Sequence, residues 1–419
     1  MKHDGMNHVI LGAGPAGVVA AETLRSLDNS STITLIGDEP EPPYSRMAIP
    51  YLLIDDIDER GTYLRKQEGY FRAQGIDVVT GRAKSVNASS GQVGLADGSS
   101  RNYDKLLVAT GARPIILPIP GIDHARVTSC WTLEDARKIS AGIKPGSSVV
   151  LIGAGFIGCI ILQSIVAAGA KLTVIEMGNR MVPRMLDETC GTLLQTWCEK
   201  KGVTVMTDSV VSAIEAHGDK VTVQVKDGPE VEAQLVISAT GVRANADFLE
   251  DSNVTLENGA VVIDEYMASS IANIYAAGDV ACGKDFSTGE FSVQAIQPTA
   301  VDHARIAANN MHRHGSIKHQ GAVLMNVLDT MGLISASYGL WQGVEGGDSA
   351  ELLDEGGFRY IRLRFEGDRL IGANTLGMTQ HIGIIRGLIQ GRFNLGKWKD
   401  RLMENPLQLM EAYLATTQG

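Results

Sequence analysis

The stretch His8-Val9-Ile10-Leu11-Gly12-Ala13-Gly14-Pro15-Ala16-Gly17 decides the fold of this chain. A strand-like run leads straight into a Gly-x-Gly-x-x-Gly turn, a helical pattern follows, and a second strand-like run occupies Thr32 to Ile36. A strand, a glycine turn and a helix N-terminus make a dinucleotide site. The glycines let backbone approach a pyrophosphate, and the helix end offers free N–H groups and the positive end of its dipole. The same order returns later. Val149-Val150-Leu151-Ile152 precedes Gly153-Ala154-Gly155-Phe156-Ile157-Gly158, and Lys171 to Glu176 reads as the next strand. One such turn can serve packing alone. Two in register, each with an acidic residue following the second strand, imply two dinucleotides and electrons passing between them, so a flavin–nicotinamide oxidoreductase is expected.

Composition narrows the class. With 419 residues the chain holds two or three domains of ordinary size, and 44% hydrophobic with 20% charged residues suits a globular protein. A net charge of −11 argues against general nucleic-acid binding. The polar start runs directly into the first strand with no room for a signal peptide, which makes the cytoplasm the expected location. Residues 145–170 carry no charge and are long enough to span a bilayer, but the fingerprint glycines interrupt them and Lys171 and Glu176 follow. A buried parallel strand with its packed helix gives the same hydropathy, and no membrane span is expected. Cys130, Cys159, Cys190, Cys198 and Cys282 form no CxxC or similar pair, so neither a dithiol relay nor a metal site is expected.

Along the chain, Glu39-Pro40-Glu41-Pro42-Pro43 reads as rigid surface backbone, and the segment from Tyr44 to Leu53 as the start of a short helix. Short strands are expected over 76–108 with Asp97-Gly98 as a turn, and again at 203–206, 210–214 and 221–225. Leu235-Val236-Ile237-Ser238-Ala239-Thr240-Gly241 nearly repeats Lys105-Leu106-Leu107-Val108-Ala109-Thr110-Gly111, marking two nucleotide units of one design. A third region starts near Gln320, with strands at 358–365 and 369–376 and helices near 381–391 and 406–415.

Both fingerprints, both Ala-Thr-Gly turns and Ala276-Ala277-Gly278-Asp279 together resemble the pyridine nucleotide–disulfide oxidoreductase superfamily. The nearest branch holds NADH oxidases, ferredoxin and rubredoxin reductases and the flavin part of assimilatory nitrite reductase. The resemblance covers nearly the whole chain. It implies an α/β fold with two Rossmann-like domains, a discontinuous FAD domain (1–116 and 245–319) and an NAD domain (117–244), plus a C-terminal α+β interface domain (320–419). It implies that FAD binds Gly12, Gly14, Pro15, Ala16 and Gly17, with Asp38 or Glu39 at the adenosine ribose. Arg46 and Arg113 would lie along the cofactor beside Ala109, Thr110 and Gly111. Gly278 and Asp279 would meet the ribityl or phosphate part, unless Asp279 is simply a helix cap, and Gln297 and Pro298 would face the flavin ring. NAD(H) would bind Gly153, Gly155, Phe156, Ile157, Gly158, Glu176 and Gly241. Glu176 would accept the ribose hydroxyls and repel a 2′-phosphate, favouring NADH over NADPH, while Arg180 stands near enough to reverse the preference.

Three departures qualify the resemblance. Met47 replaces the single redox cysteine of NADH oxidases and coenzyme A-disulfide reductases, and a thioether forms neither a sulfenate nor a mixed disulfide. Tyr51 replaces the lysine of ferredoxin reductases. Ile160 replaces the glutamate two positions after the last fingerprint glycine, which leaves either a hydride site that works by stacking alone or a weakened one. The expected activity passes electrons from NADH through FAD to an external acceptor, foremost a ferredoxin-type iron–sulfur protein. The alternatives are a flavin-bearing subunit of a larger oxidoreductase and an NADH oxidase without the redox cysteine. A docking face could use Arg386, Arg392, Lys397, Lys399 and Arg401, or Arg359, Arg362, Arg364 and Arg369, although solvated surface charge explains both groups. The family also allows a homodimer. His303 is expected to be structural. No catalytic side chain and no metal are expected.

Overall fold

The computed structural model describes residues 5–417. Residues 1–4, on which the reading of the N-terminus partly rested, lie outside the described residues. The chain divides into two compact units, one of Met1–Leu52, Ile57–Arg113 and Val242–Ala322, the other of Leu53–Asp56, Pro114–Gly241 and Val323–Gly419. Segments 117–241 and 323–419 therefore share a unit, while 242–244 fall in the first.

The first unit is built on a parallel five-stranded sheet in the order Ile76–Thr80, Thr32–Gly37, Asn7–Leu11, Lys105–Val108, Ile274–Ala276. Helices cover it, so its strands are apolar on both sides: Ile10, Leu35 and Leu107 are wholly buried. Helices Pro15–Leu27 and Gln297–His312 pack against each other. Asn7–Leu11 pairs with Thr32–Gly37 on one side and Lys105–Val108 on the other, so the chain leaves it at the point where strand order reverses. At such a switch point the flanking connections run to opposite faces and leave a crevice, and the first glycine turn opens there.

The second unit repeats the plan in the parallel order Thr204–Met206, Lys171–Ile175, Ser148–Ile152, Leu235–Ser238, Val127–Thr128. The uncharged run resolves into the buried strand Ser148–Ile152 and the 12-residue helix Phe156–Ala167. At 1.5 Å per residue that helix is about 18 Å long. Among the described residues no helix is long and apolar enough to cross a membrane.

The same unit carries an antiparallel sheet ordered Met325–Thr330, Leu333–Gly339, Arg369–Leu376, Arg359–Glu366, Asp348–Asp354. The hairpin expected at 358–365 and 369–376 is its centre. Three further strands join it, and helix Lys397–Glu404 stands between the expected helices Ile382–Gly391 and Leu409–Thr417.

Candidate dinucleotide sites

In the first unit the three fingerprint glycines do three different jobs. Gly12 has φ +108°, and a Cβ there would stand 2.1 Å from the Ala109 carbonyl oxygen. A Cβ at Gly17 would stand 1.9 Å from the Gly12 carbonyl oxygen, so this glycine lets helix and turn touch. A Cβ at Gly14 would meet nothing within 4 Å, which marks the open side of the turn. Helix Pro15–Leu27 starts there with Gly14 as its cap residue, no side-chain cap and a proline at its first position. The first N–H groups of a helix have no acceptor within it, which leaves those of Ala16 and Gly17 suited to an anion.

Around this turn the sequence-distant partners converge. Thr110 Oγ1 donates to the Asn245 carbonyl (2.6 Å), and Asn245 returns a bond from Nδ2 to the Thr110 carbonyl (3.1 Å). Arg113 donates to Asn245 Oδ1 (2.7 Å) and pairs with Asp247. Gly12, Asp38, Lys84, Thr110, Arg113 and Asn245 contribute to the lining of a cavity of about 290 Å³.

The two candidate acids separate. Asp38 lines that cavity, whereas Glu39 accepts hydrogen bonds from the Tyr44 hydroxyl (2.6 Å) and Arg46 Nη2 (2.7 Å). Burial disfavours the Arg46 charge, but Glu39 and Tyr44 outweigh it and raise the guanidinium's pKa. Gly278, with φ +77°, fits between the first turns of two helices, where a Cβ would lie 3.4 Å from those of Ala16 and Ala300. The next residue, Asp279, caps no helix. Its carboxylate receives no hydrogen bond from the described residues; burial raises its pKa and Arg46 opposes the rise. Gln297 opens helix Gln297–His312 with Pro298 behind it, and its Oε1 accepts from Ser45 Oγ (2.7 Å). Met47 and Tyr51 are about half exposed, at 48% and 55%. An open glycine face, an uncapped helix end and a half-buried carboxylate without a donor fit a flavin dinucleotide.

His303 is buried on the same helix, its ring edge-to-face with His319 at 4.8 Å. Burial, helped by His319, lowers its pKa to about 3, and Nδ1 has no partner. That environment suits the expected structural role.

The second unit repeats the glycine geometry. Gly153 (φ +98°) would place a Cβ 2.6 Å from the Ala239 carbonyl oxygen, Gly158 one 2.2 Å from that of Gly153, and Gly155 one in open space. Helix Phe156–Ala167 begins at Gly155 without a side-chain cap, and Phe156 and Ile157 are half-buried in its first turn. Gly241 (φ +112°) accepts the Ile115 N–H at 2.9 Å beside the second Ala-Thr-Gly turn. Glu176 is buried. Its Oε2 accepts the Ala154 N–H (2.6 Å) and its Oε1 the Gly178 N–H (2.7 Å). Arg180 is folded back on its own loop, donating to the Leu186 carbonyl (3.0 Å), the Pro183 carbonyl (3.2 Å) and Asn179 Oδ1 (2.7 Å). Ile160 is half-buried in the helix. A glycine cradle with a fixed carboxylate at the end of the second strand fits a nicotinamide dinucleotide carrying a free ribose.

All five cysteines are buried and unpaired. Burial pushes the Cys130 and Cys198 thiols up to about 12 and Cys159 and Cys190 well above their ordinary value, so none is a thiolate near neutral pH. Much of the C-terminal positive charge is committed. Arg362 lies 3.6 Å from Asp187, Lys399 bonds Asp348 (2.6 Å), and Arg401 stacks on Trp398 at 4.4 Å. Asn245, Asp247 and Ser45 were not foreseen as site residues. Their contacts are made across more than 100 residues, and no local motif announces them.

The chain is similar to known oxidoreductases. The chain is 30% identical over 98% of its length, and 97% of the relative's, to the epsilon subunit of NADH-dependent phenylglyoxylate dehydrogenase from Aromatoleum evansii. It is 33% identical to an NADH oxidase of Methanocaldococcus jannaschii over 73% of this chain and 70% of that one. In structure it matches the covalent putidaredoxin reductase–putidaredoxin complex with a TM-score of 0.90 and 25% identity, covering 99% of each chain. The family model for pyridine nucleotide-disulphide oxidoreductases matches residues 6–309, and with both glycine cradles in place the chain belongs to that family.

Proposed function

We propose that the protein is an FAD-dependent oxidoreductase that takes electrons from NADH and passes them to an external iron–sulfur protein of the ferredoxin type. The observation that carries this reading is the doubled cradle: two glycine turns, each with its middle glycine open and its helix end uncapped, and only the second backed by a buried glutamate. FAD, when bound, supplies the step from two-electron hydride chemistry to single electrons.

The chain's own residues do the positioning. Gly14 and the N-terminus of helix Pro15–Leu27 receive the flavin pyrophosphate, Asp38 accepts from the adenosine ribose, and Asp279 accepts from the ribityl chain. Glu39 holds Arg46 in place, and Ser45 orients Gln297. In the other unit Gly155 and the N-terminus of helix Phe156–Ala167 hold the nicotinamide dinucleotide pyrophosphate. Glu176, fixed by two backbone N–H groups, accepts ribose hydroxyls and repels a 2′-phosphate, while each nitrogen of Arg180 donates to its own loop. With buried thiols and Met47 at the half-exposed turn, electrons leave without a cysteine relay.

A second reading has specific support. The relative matching essentially end to end is named as one subunit of a larger NADH-dependent enzyme, which favours a flavin-bearing electron-transfer subunit working inside a complex. Anaerobic titration of the purified flavoprotein with NADH, then NADPH, tests the first step common to both. Stoichiometric bleaching of the flavin band by NADH is expected. No bleaching by either nucleotide, with dithionite still effective, refutes NADH as donor. Co-purification with an iron–sulfur subunit from the native source separates the two readings.

A further inference from the structure

The loop after Glu176 is held at both ends, and only one end belongs to the nucleotide fold. At the near end Glu176 grips the Ala154 N–H, and Val182 donates its own N–H to the Ala154 carbonyl at 2.8 Å. Val182 does so from φ +51°, a conformation a β-branched residue adopts only when its surroundings impose it. At the far end the restraint comes from the antiparallel sheet of the C-terminal segment. Asn374 donates from Nδ2 to the Met185 carbonyl (3.0 Å) and accepts the Asp187 N–H on Oδ1 (3.3 Å). The Tyr360 hydroxyl donates to Asp187 Oδ2 at 2.8 Å. Asn374, Asp187 and Tyr360 are all buried, so these bonds are made away from competing water.

We infer that Asn374 and Tyr360 are positioning residues for the choice of nicotinamide coenzyme, which rests on the NADH reading proposed above. They pin Met185 and Asp187, the pinned backbone keeps the Pro183 and Leu186 carbonyls in place, and those carbonyls hold the Arg180 guanidinium away from the ribose edge. Selectivity against a 2′-phosphate therefore depends on a sheet that does not itself belong to the nucleotide fold. Releasing that hold frees Arg180 to bind a 2′-phosphate.

The test measures dissociation constants of NAD⁺ and NADP⁺ by calorimetry on the FAD-loaded protein, for wild type, Asn374→Ala, the milder Tyr360→Phe, and each combined with Arg180→Ala. The preference for NAD⁺ should fall about tenfold in Asn374→Ala and about threefold in Tyr360→Phe, in keeping with the loss of one or two buried hydrogen bonds. Adding Arg180→Ala should restore it, an outcome a merely structural role would not produce. An unchanged preference in both folded single variants, or no restoration by Arg180→Ala, overturns the inference. Flavin bleaching is read separately. If wild type binds NAD⁺ selectively and the variants shift, but NADH fails to bleach the flavin, the positioning role stands and the donor assignment falls.

Discussion

Glu176 Oε2 accepts the Ala154 N–H at 2.6 Å, whereas the matching residue of the first unit, Gly37, stands with its Cα face against Ala13. The strand pairings Leu11↔Ile36 and Ile152↔Ile175 make the two positions equivalent, and a Cβ on Gly37 would come 2.8 Å from that of Ala13. The two units thus share a backbone plan and differ at the residue at the end of the second strand. In the proposed function the buried, doubly bonded carboxylate is a rigid selector for a free ribose, and where the first unit has glycine the task passes to Asp38 at the cavity wall.

The glycines should separate folding from binding. Gly12→Ala drives a Cβ into the Ala109 carbonyl at positive φ and should destabilise the protein by about 3 kcal/mol or more. Gly14→Ala points into open space and should change stability by no more than about 0.5 kcal/mol while lowering FAD occupancy. Thermal unfolding of the apoprotein beside flavin content per chain checks both.

Gly155→Ala should leave a fully yellow protein that NADH no longer reduces at ordinary concentrations, because its Cβ occupies only the second cradle. Titration by NADH against titration by dithionite reads this directly.

Ile160→Glu should give no gain in the rate of flavin reduction by NADH, measured by stopped flow. The side chain is half-buried in its helix, and the proposed function has stacking of the cofactors, rather than a side-chain carboxylate, set the rate. A tenfold rise would show that the hydride site lost an acid it needs.

Stability should fall in acid for a defined reason. Burial lowers the pKa of His8 to about 4 and of His303 to about 3, against an ordinary value of 6.5. Above pH 6.5 both are neutral whether the chain is folded or not, and they add no pH dependence. Below it the unfolded chain binds the protons first, and each histidine removes up to about 1.4 kcal/mol per pH unit, His8 down to about 4 and His303 to about 3. Unfolding free energy measured from pH 7 to 4 should decline, and His303→Gln should make that decline shallower by about one proton.

Two things were legible along the chain because their cause is local. A glycine at positive φ, an apolar run ahead of it and a helix behind it are fixed by neighbours in sequence, and Gly12, Gly153, Gly278 and both Ala-Thr-Gly turns stand where their motifs put them. The hairpin Arg359–Glu366 with Arg369–Leu376 announced itself by alternation, for the same reason. Helix Lys397–Glu404, short and rich in charge, gave no such signal.

What the sequence determined by itself was therefore the doubled nucleotide plan and the residue types at its turns, since backbone sterics and side-chain period act over a few residues. Only the tertiary structure decided which carboxylate faces the first cavity, that Glu39 is spent on Arg46 and Tyr44, and that Arg180 is turned back on its loop. It also decided that Asn374 of the C-terminal sheet holds that loop from 187 residues away. Hydrogen bonds between groups so distant in sequence depend on where whole elements pack, and no pattern along the chain encodes that placement residue by residue.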